Sequence, residues 1–175
     1  YWRGLAEPDG ILPMDNPQGS SSLADTRTHT LHLDRETTSQ LLEDSPAAFR
    51  TGINDLLLSA LALALHQWSG QRNFLIDLES HGRAELFDDI DLGRTVGWFT
   101  SLHTAALSLP DSDDPGAVIK AVKEQLRRVP HEGLACGLLR QAGEAIPQGE
   151  ILFNYLGQFD QTASKEEGFR LACEG

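Results

Sequence analysis

The hydrophobic and polar positions along the chain predict strands interleaved with helices. Some segments alternate polar and apolar side chains, and others are short apolar runs bounded by turn-forming residues, which are the two patterns typical of strands. The predicted strands are residues 28–33, 74–79, 95–109 and 150–155. Because helical segments separate them, the pattern indicates an α/β layered architecture.

Capping residues and periodicity predict the helices. Asp34 and Asn54 are good N-caps for the first two, and the second helix is apolar on every face, which predicts burial between layers. The third has an acidic start and a basic end, as the helix dipole favours. The predicted helices are residues 34–42, 54–68, 113–128 and 134–140.

The first 25 residues have the composition of a linker or an extended arm, with turn-forming prolines at Pro8, Pro13 and Pro17. Trp2 is the exception, because an unattached linker gains nothing from an exposed indole. We expect Trp2 to dock on a folded body.

Composition narrows the classes of function. The chain has 175 residues, enough for one domain, and a net charge of −12 that argues against binding to nucleic acid or to an anionic membrane surface. Its longest apolar stretch, residues 56–65, falls short of the roughly 20 residues that span a bilayer. Nucleotide-binding glycine motifs do not occur in the sequence, so no nucleotide cofactor is expected.

Histidines and cysteines indicate neither a metal site nor a disulfide framework. His29 and His32 would face opposite sides of the predicted strand, which makes a poor ligand pair. Cys136 and Cys173 lack a paired spacing motif, and this favours a reduced, cytoplasmic compartment.

The densest polar cluster is Glu79-Ser80-His81-Gly82-Arg83, directly after a predicted apolar strand. A carboxylate there could be partly desolvated and its pKa raised into the range useful for proton transfer. The alternative is a solvated turn in which Gly82 supplies the bend. His81 could likewise be a base or a structural hydrogen-bonding group.

Two aromatic segments are equally ambiguous. Residues 94–100 could line a pocket or pack in the core through Trp98 and Phe99. In residues 153–158, Asn154 and Tyr155 could donate hydrogen bonds to a carbonyl oxygen or simply satisfy buried backbone groups. Composition leaves both alternatives open.

Taken in order, these segments resemble the C-terminal motif series of epimerization domains from nonribosomal peptide synthetases, within the condensation-domain superfamily. R-T-V-G-W-F-T and F-N-Y-L-G-Q match that series outright, and three other segments resemble it more loosely. The segments are N-D-L-L-L-S-A at 54–60, E-S-H-G-R at 79–83, R-T-V-G-W-F-T at 94–100, P-H-E-G with G-L-L at 130–139, and F-N-Y-L-G-Q at 153–158.

The resemblance implies a chloramphenicol acetyltransferase-like fold, in which two α/β lobes form a V around a tunnel. The family's H-H-x-x-x-D-G motif belongs to the N-terminal lobe, and no two histidines are adjacent in this sequence. We therefore expect residues 26–175 to be the C-terminal lobe, a two-layer sandwich, and residues 1–25 to be the crossover from an N-terminal lobe. The expected partners are that lobe and a peptidyl carrier domain.

The resemblance also implies a mechanism. The substrate would be an aminoacyl or peptidyl thioester on the phosphopantetheine of the carrier, with no cofactor bound directly. Glu79 would be one catalytic proton carrier and a histidine of the other lobe the second, so one lobe alone should be inert. His81, Arg83, Asn154 and Tyr155 would support catalysis or bind substrate, and Trp98 and Phe99 would pack near the tunnel.

The sequence also departs from the family pattern, and two alternatives stay open. One is an amide-forming condensation domain with the same fold, and the other is a non-catalytic lobe that shapes the tunnel and docks the carrier. The departures are Ser80, Ala84, His103-Thr104 and Ala135-Cys136.

Overall fold

A three-stranded sheet organises the molecule, for which a computed structural model describes residues 1–5, 8–19, 22–83 and 89–157. The strands are β1 (Asn73–Ser80), β2 (Ser101–Ser108) and β3 (Ile151–Phe153), in the order β2-β1-β3. β1 pairs with β2 antiparallel along its whole length and with β3 in parallel. The carboxyl ends of β1 and β3 therefore meet at one edge of the sheet.

Two long helices and several short ones surround the sheet. They are α1 (Arg35–Ser39), α2 (Ser45–Phe49), α3 (Ile53–Ser69), α4 (Pro115–Arg127) and α5 (Leu134–Gln141). A π-helical stretch, Gln40–Asp44, joins α1 to α2, and 3₁₀ turns lie at Trp2–Gly4, Leu23–Asp25 and Pro130–Gly133. Within the described residues no single helix is long and apolar enough to cross a membrane. Arg35–Phe49 and Ile53–Ser69, bent by 98°, reach that length and composition only when taken together.

The core lies between one face of the sheet and helices α3 and α4. Successive strand residues point to opposite faces, so alternate positions of β1 and β2 supply the sheet side of this core. Its most deeply buried members are Leu58, Ala62, Ile76, Ala105, Leu107, Val118 and Val122. A smaller cluster formed by Trp2, Cys136 and Ile146 packs separately, next to helix α5.

Trp2 docks on the folded body, as predicted. Its side chain is only 4% exposed, and its Nε1 donates to the backbone oxygen of Thr104 at 3.0 Å. The Thr104 hydroxyl is itself buried between Asp77, at 2.5 Å, and Arg140, whose Nη2 donates to it at 2.7 Å. The arm also attaches further along, where Asp9 accepts hydrogen bonds from the backbone of Arg72 and Asn73.

Replacing this indole tests how firmly the arm is held. We expect Trp2→Phe in the intact protein to cost about 1–3 kcal/mol of unfolding free energy, because it removes the buried donor and leaves unfilled volume. Trp68→Phe is the matched control, since Trp68 is 59% exposed and should change stability by less than about 0.5 kcal/mol. Urea unfolding measures both, and equal effects would contradict a structural role for Trp2.

The strongest local signals in the sequence are confirmed. Asp34 caps α1 by accepting from the Thr37 amide at 2.7 Å, and Asp114 caps α4 by accepting from the Ala117 amide at 2.8 Å. The strand predicted at 74–79 and the helix predicted at 134–140 are β1 and α5, each one or two residues longer than expected.

Three predicted strands are wrong in whole or in part. Residues 28–33 are extended but join no strand among those described, and Leu31 is 94% exposed. The strand predicted over 95–109 begins only at Ser101, and the strand predicted over 150–155 is limited to Ile151–Phe153. Alternation alone predicts a strand only where a neighbouring strand supplies hydrogen bonds.

The prediction for α3 is wrong in two details. Gly52, not Asn54, is the N-cap, because the Asp55 carboxylate accepts from the Gly52 amide at 2.8 Å and so starts the helix earlier. The helix is also not buried on every face, since Ala60, Ala64 and Trp68 are exposed. Small residues on its outer side had made the pattern look uniformly apolar.

Candidate functional site

A groove of about 540 Å³ lies at the edge where β1 and β3 end. Its walls are mostly polar, and they combine side chains from several separate segments of the sequence. The lining residues are Asn54, Glu79, Ser80, His81, Thr100, Glu132, Asn154, Tyr155, Leu156 and Gly157. Four of the five predicted site residues thus share this one groove.

Parallel pairing of β1 with β3 explains why Glu79 and Asn154 meet there. Leu78 lies opposite Phe153 in the register, so the next residue of each strand emerges at the same edge. Helix α3 begins beside this edge and contributes Asn54. Glu79 is half-buried and lies on a groove wall, so the alternative of a fully solvated turn is excluded for its position.

Arg83 is the predicted site residue that does not line the groove. Its guanidinium lies over the Phe99 ring, 4.4 Å from the centroid, and donates to the backbone oxygens of Leu92 and, at 2.9 Å, Thr95. Arg83 therefore fixes the loop that precedes β2. His81, which is exposed, accepts the Arg83 amide through Nδ1 at 3.0 Å and stabilises the same turn.

Gly82 connects the same two segments at the backbone. Its φ of +65° is in the left-handed region, and a Cβ at this position would overlap the Phe99 carbonyl. The E-S-H-G-R and R-T-V-G-W-F-T segments therefore lock together through Gly82, Arg83 and Phe99. The packing role predicted for Trp98 is wrong for the described residues, because Trp98 is 90% exposed.

A second recess, the His103 pocket, adjoins the groove. Its volume is about 230 Å³, and it shares Asn54, Glu79, Ser80 and Glu132 with the groove. Its other lining residues are Asp55, Leu58, Leu78, His103, Leu126, Val129 and Phe153. The recess is thus mainly apolar away from the groove, with His103 as its most deeply buried polar side chain.

His103 is 6% exposed, and its Nδ1 has no hydrogen-bond partner in the described part of the chain. Burial lowers the pKa of the imidazole below its usual value; nearby Arg140 lowers it further, while Asp77 opposes the shift. The ring is therefore neutral at pH 7. From the sequence, His103 stood out only as a departure from a motif.

An unusual turn brings Glu132 to both recesses. His131, Glu132 and Gly133 all have positive φ, at 49°, 51° and 87°. Gly133 packs against the His103 ring so closely that a Cβ would overlap it. Two consecutive non-glycine residues in this region are strained. Glu132 was not among the predicted site residues, and only the proline and glycine around it could have indicated a turn.

Comparison with known proteins decides the family, since a family model for the condensation domain matches residues 1–173. The chain belongs to the condensation-domain family. It is 46% identical over 173 residues to a linear gramicidin synthase of Brevibacillus parabrevis, covering 93% of this chain and 3% of that protein. It is 40% identical over 176 residues to bacitracin synthase 3 of Bacillus licheniformis, covering 95% of this chain and 3% of that protein.

Solved structures agree with this assignment. The epimerization domain from the third module of tyrocidine synthetase B matches with a TM-score of 0.67 and 38% identity, over 73% of this chain and 31% of that one. The first condensation domain of the CDA synthetase matches with a TM-score of 0.54 and 17% identity, over 70% of this chain and 27% of that one. The predicted α/β, chloramphenicol acetyltransferase-like fold and the resemblance to peptide synthetase domains are confirmed, and the family is catalytic. This condensation-family chain spans under a third of those structures.

The buried His103 makes stability depend on pH in a defined direction. Its folded pKa is lower than the roughly 6.5 of an unfolded histidine, so the unfolded state takes up the proton first as pH falls. The contribution of His103 to stability is complete above about pH 6.5 and declines below it. We expect urea unfolding of the intact domain to show a larger loss between pH 7.5 and 5.5 than in His103→Gln. Equal losses would contradict the burial of a neutral ring.

Proposed function

We propose that this condensation-family chain forms one wall of an epimerization site. The substrate is an aminoacyl or peptidyl thioester on the phosphopantetheine of a carrier domain, and the reaction inverts its α-carbon from the L to the D form. One observation carries the proposal: Glu79, Asn154 and Tyr155 line a single groove at the carboxyl edge of β1 and β3.

Glu79 is the proton carrier in this proposal. A thioester carbonyl delocalises the charge that develops when the α-proton leaves, so a carboxylate within reach is a competent base. The Asn154 amide and the Tyr155 hydroxyl are donors that can stabilise the enolate oxygen. His81 and Arg83 act as positioning residues, because their contacts hold the turn after Glu79 and the loop before β2.

Inversion needs a second proton carrier on the opposite face of the α-carbon. We assign it to a paired-histidine motif on an N-terminal lobe, with residues 1–25 as the crossover and residues 26–175 as the C-terminal lobe. On this view the chain by itself is inactive. The docked arm supports the assignment, because Trp2 and Asp9 attach it to the body instead of leaving it as a separate linker.

Similarity favours epimerization over amide formation. The epimerization domain of tyrocidine synthetase B is 38% identical, whereas the condensation domain of the CDA synthetase is 17% identical and indicates the fold alone. An amide-forming domain remains the second candidate, since both belong to one family.

The experiment supplies the intact synthetase with its carrier loaded as the L-aminoacyl thioester, with and without an acceptor amine on a downstream carrier. The proposal predicts that the amino acid released by hydrolysis becomes a mixture of D and L without any acceptor. Retention of pure L configuration together with formation of an amide product would overturn the proposal and establish the condensation alternative.

A further inference from the structure

The His103 pocket opens directly beside Glu79. It shares four residues with the groove, so a group that leaves an α-carbon near Glu79 can enter it without crossing a wall. The pocket narrows between α3, α4 and the sheet, where its lining is apolar. These apolar residues are Leu58, Leu78, Leu126, Val129 and Phe153.

Most of the polar side chains whose contacts are resolved in the pocket are already engaged by the protein. Asp55 accepts the Gly52 amide at 2.8 Å, and the Ser80 hydroxyl is 2.7 Å from that of Ser101. His103 differs, because it is 94% buried by its 6% exposure and its Nδ1 has no partner among the described residues. A buried polar group without a partner costs free energy, and a ligand can supply what the protein does not.

The orientation of the ring leaves one nitrogen for a ligand. Gly133 packs against Nδ1, Cγ and Cε1, so this side of the ring is closed. Nε2 is then the nitrogen that a group inside the pocket can meet. A hydroxyl suits it in either tautomer, since a hydroxyl both donates and accepts.

Size and shape favour an aromatic group. A cavity of roughly 150 Å³ is enough to hold benzene, and this pocket has about 230 Å³, with room for one further polar atom on a ring. Phe153 and the His103 imidazole provide aromatic walls. Glu79 and Glu132 at the shared mouth disfavour an anionic side chain by charge repulsion.

We propose that the His103 pocket receives the side chain of the residue being inverted and selects a phenolic side chain through a hydrogen bond to His103. The inference rests on the proposed epimerization and adds the substrate class. His103 is a specificity-determining residue in this account, while proton transfer belongs to Glu79.

The test compares tyrosyl and phenylalanyl groups, which differ by one hydroxyl, in the intact synthetase. Non-hydrolysable tyrosyl- and phenylalanyl-pantetheine amides give dissociation constants, and the matching carrier-bound thioesters give rates of inversion. Tyrosyl should be favoured about five- to tenfold in both, as one hydrogen bond predicts. In protein with ¹⁵N-labelled histidine, the tyrosyl amide should shift the His103 Nε2 resonance, and the phenylalanyl amide should not.

Variants locate the preference. His103→Leu should reduce the tyrosyl-to-phenylalanyl ratio to within about twofold of one while leaving phenylalanyl turnover near wild type, and His103→Gln should keep a preference because it keeps a polar group. His32→Leu is the control, since the exposed His32 does not line the pocket. A lysyl analogue tests the alternative that the acidic mouth selects a cation.

The outcomes separate the two proposals. If the synthetase inverts thioesters but binds both amides equally, with no shift at His103, the pocket assignment is wrong and the epimerization proposal stands. If it inverts none, epimerization is wrong, and the binding ratio and the ¹⁵N shift still decide the pocket. Tighter binding of the lysyl than of the tyrosyl amide would also overturn phenol selection.

Discussion

Glu79→Gln, made in the intact synthetase, is expected to slow inversion of the α-carbon at least about 100-fold. Glutamine keeps the size of the side chain and its ability to hydrogen-bond in the groove, but it cannot accept the α-proton. Chirality of the amino acid released from the carrier measures the effect. The fold should be unaffected, because Glu79 is at the end of β1 and is half-buried.

The control for this variant is Glu124→Gln, on an exposed part of α4 away from the groove. It removes one carboxylate with the same chemistry and should leave inversion unchanged. Wild-type inversion in Glu79→Gln would instead favour the non-catalytic alternative, in which this lobe only shapes the tunnel and docks the carrier.

Gly82→Ala is expected to have the largest effect on the structure around the groove. The new Cβ would overlap the Phe99 carbonyl, and alanine is strained at a φ of +65°. Relief requires the loop before β2 to move away from the turn after Glu79, which also breaks the contact between Arg83 and Phe99. We expect a loss of about 2–4 kcal/mol in unfolding free energy, together with loss of inversion.

Gly137→Ala is the matched control, because a Cβ there meets nothing within 4 Å and the residue lies inside α5. Alanine in a helix interior should stabilise the protein by about 0.5–1 kcal/mol. Urea unfolding of the intact domain compares the two. Similar free energies for both variants would mean that Gly82 is not the point where the two segments lock.

Local signals predicted the elements that depend on local contacts. Helix α4 followed from Asp114 and Pro115, whose cap and fixed φ act within one turn. The failure at residues 28–33 has the opposite cause, since a strand needs a neighbour that alternation cannot identify. The start of β2 was misplaced for a related reason, because Gly82, 17 positions before Phe99, holds the loop out of the sheet.

The candidate site was predictable only in part. Motif resemblance singled out Glu79, Asn154 and Tyr155, and the parallel pairing of β1 with β3 places them in one groove. His103 and Glu132 gave little signal, because their positions depend on a turn of left-handed residues packed against a strand about 30 positions earlier. Arg83 looked like a groove residue from its neighbours, yet its contacts are with the loop before β2.

Residues beyond the described ranges leave some predictions where they began. Ala84, one of the departures from the family pattern, lies outside the described residues, as do Gln158 at the end of the F-N-Y-L-G-Q segment and Cys173. Ser80 is described, and its hydroxyl bonds across the end of the β1–β2 ladder to Ser101 at 2.7 Å. Serine in place of glycine there is therefore accommodated by the strand pair.

The most direct test of Glu79 as the proton carrier on one face is exchange of the α-hydrogen in deuterated water, started separately from the L- and the D-aminoacyl thioester on the intact synthetase. In the wild type, deuterium should enter from both. In Glu79→Gln, we expect exchange to be lost from one enantiomer and to persist from the other, because the second carrier is intact. Undiminished exchange from both enantiomers in Glu79→Gln would show that another group takes the proton.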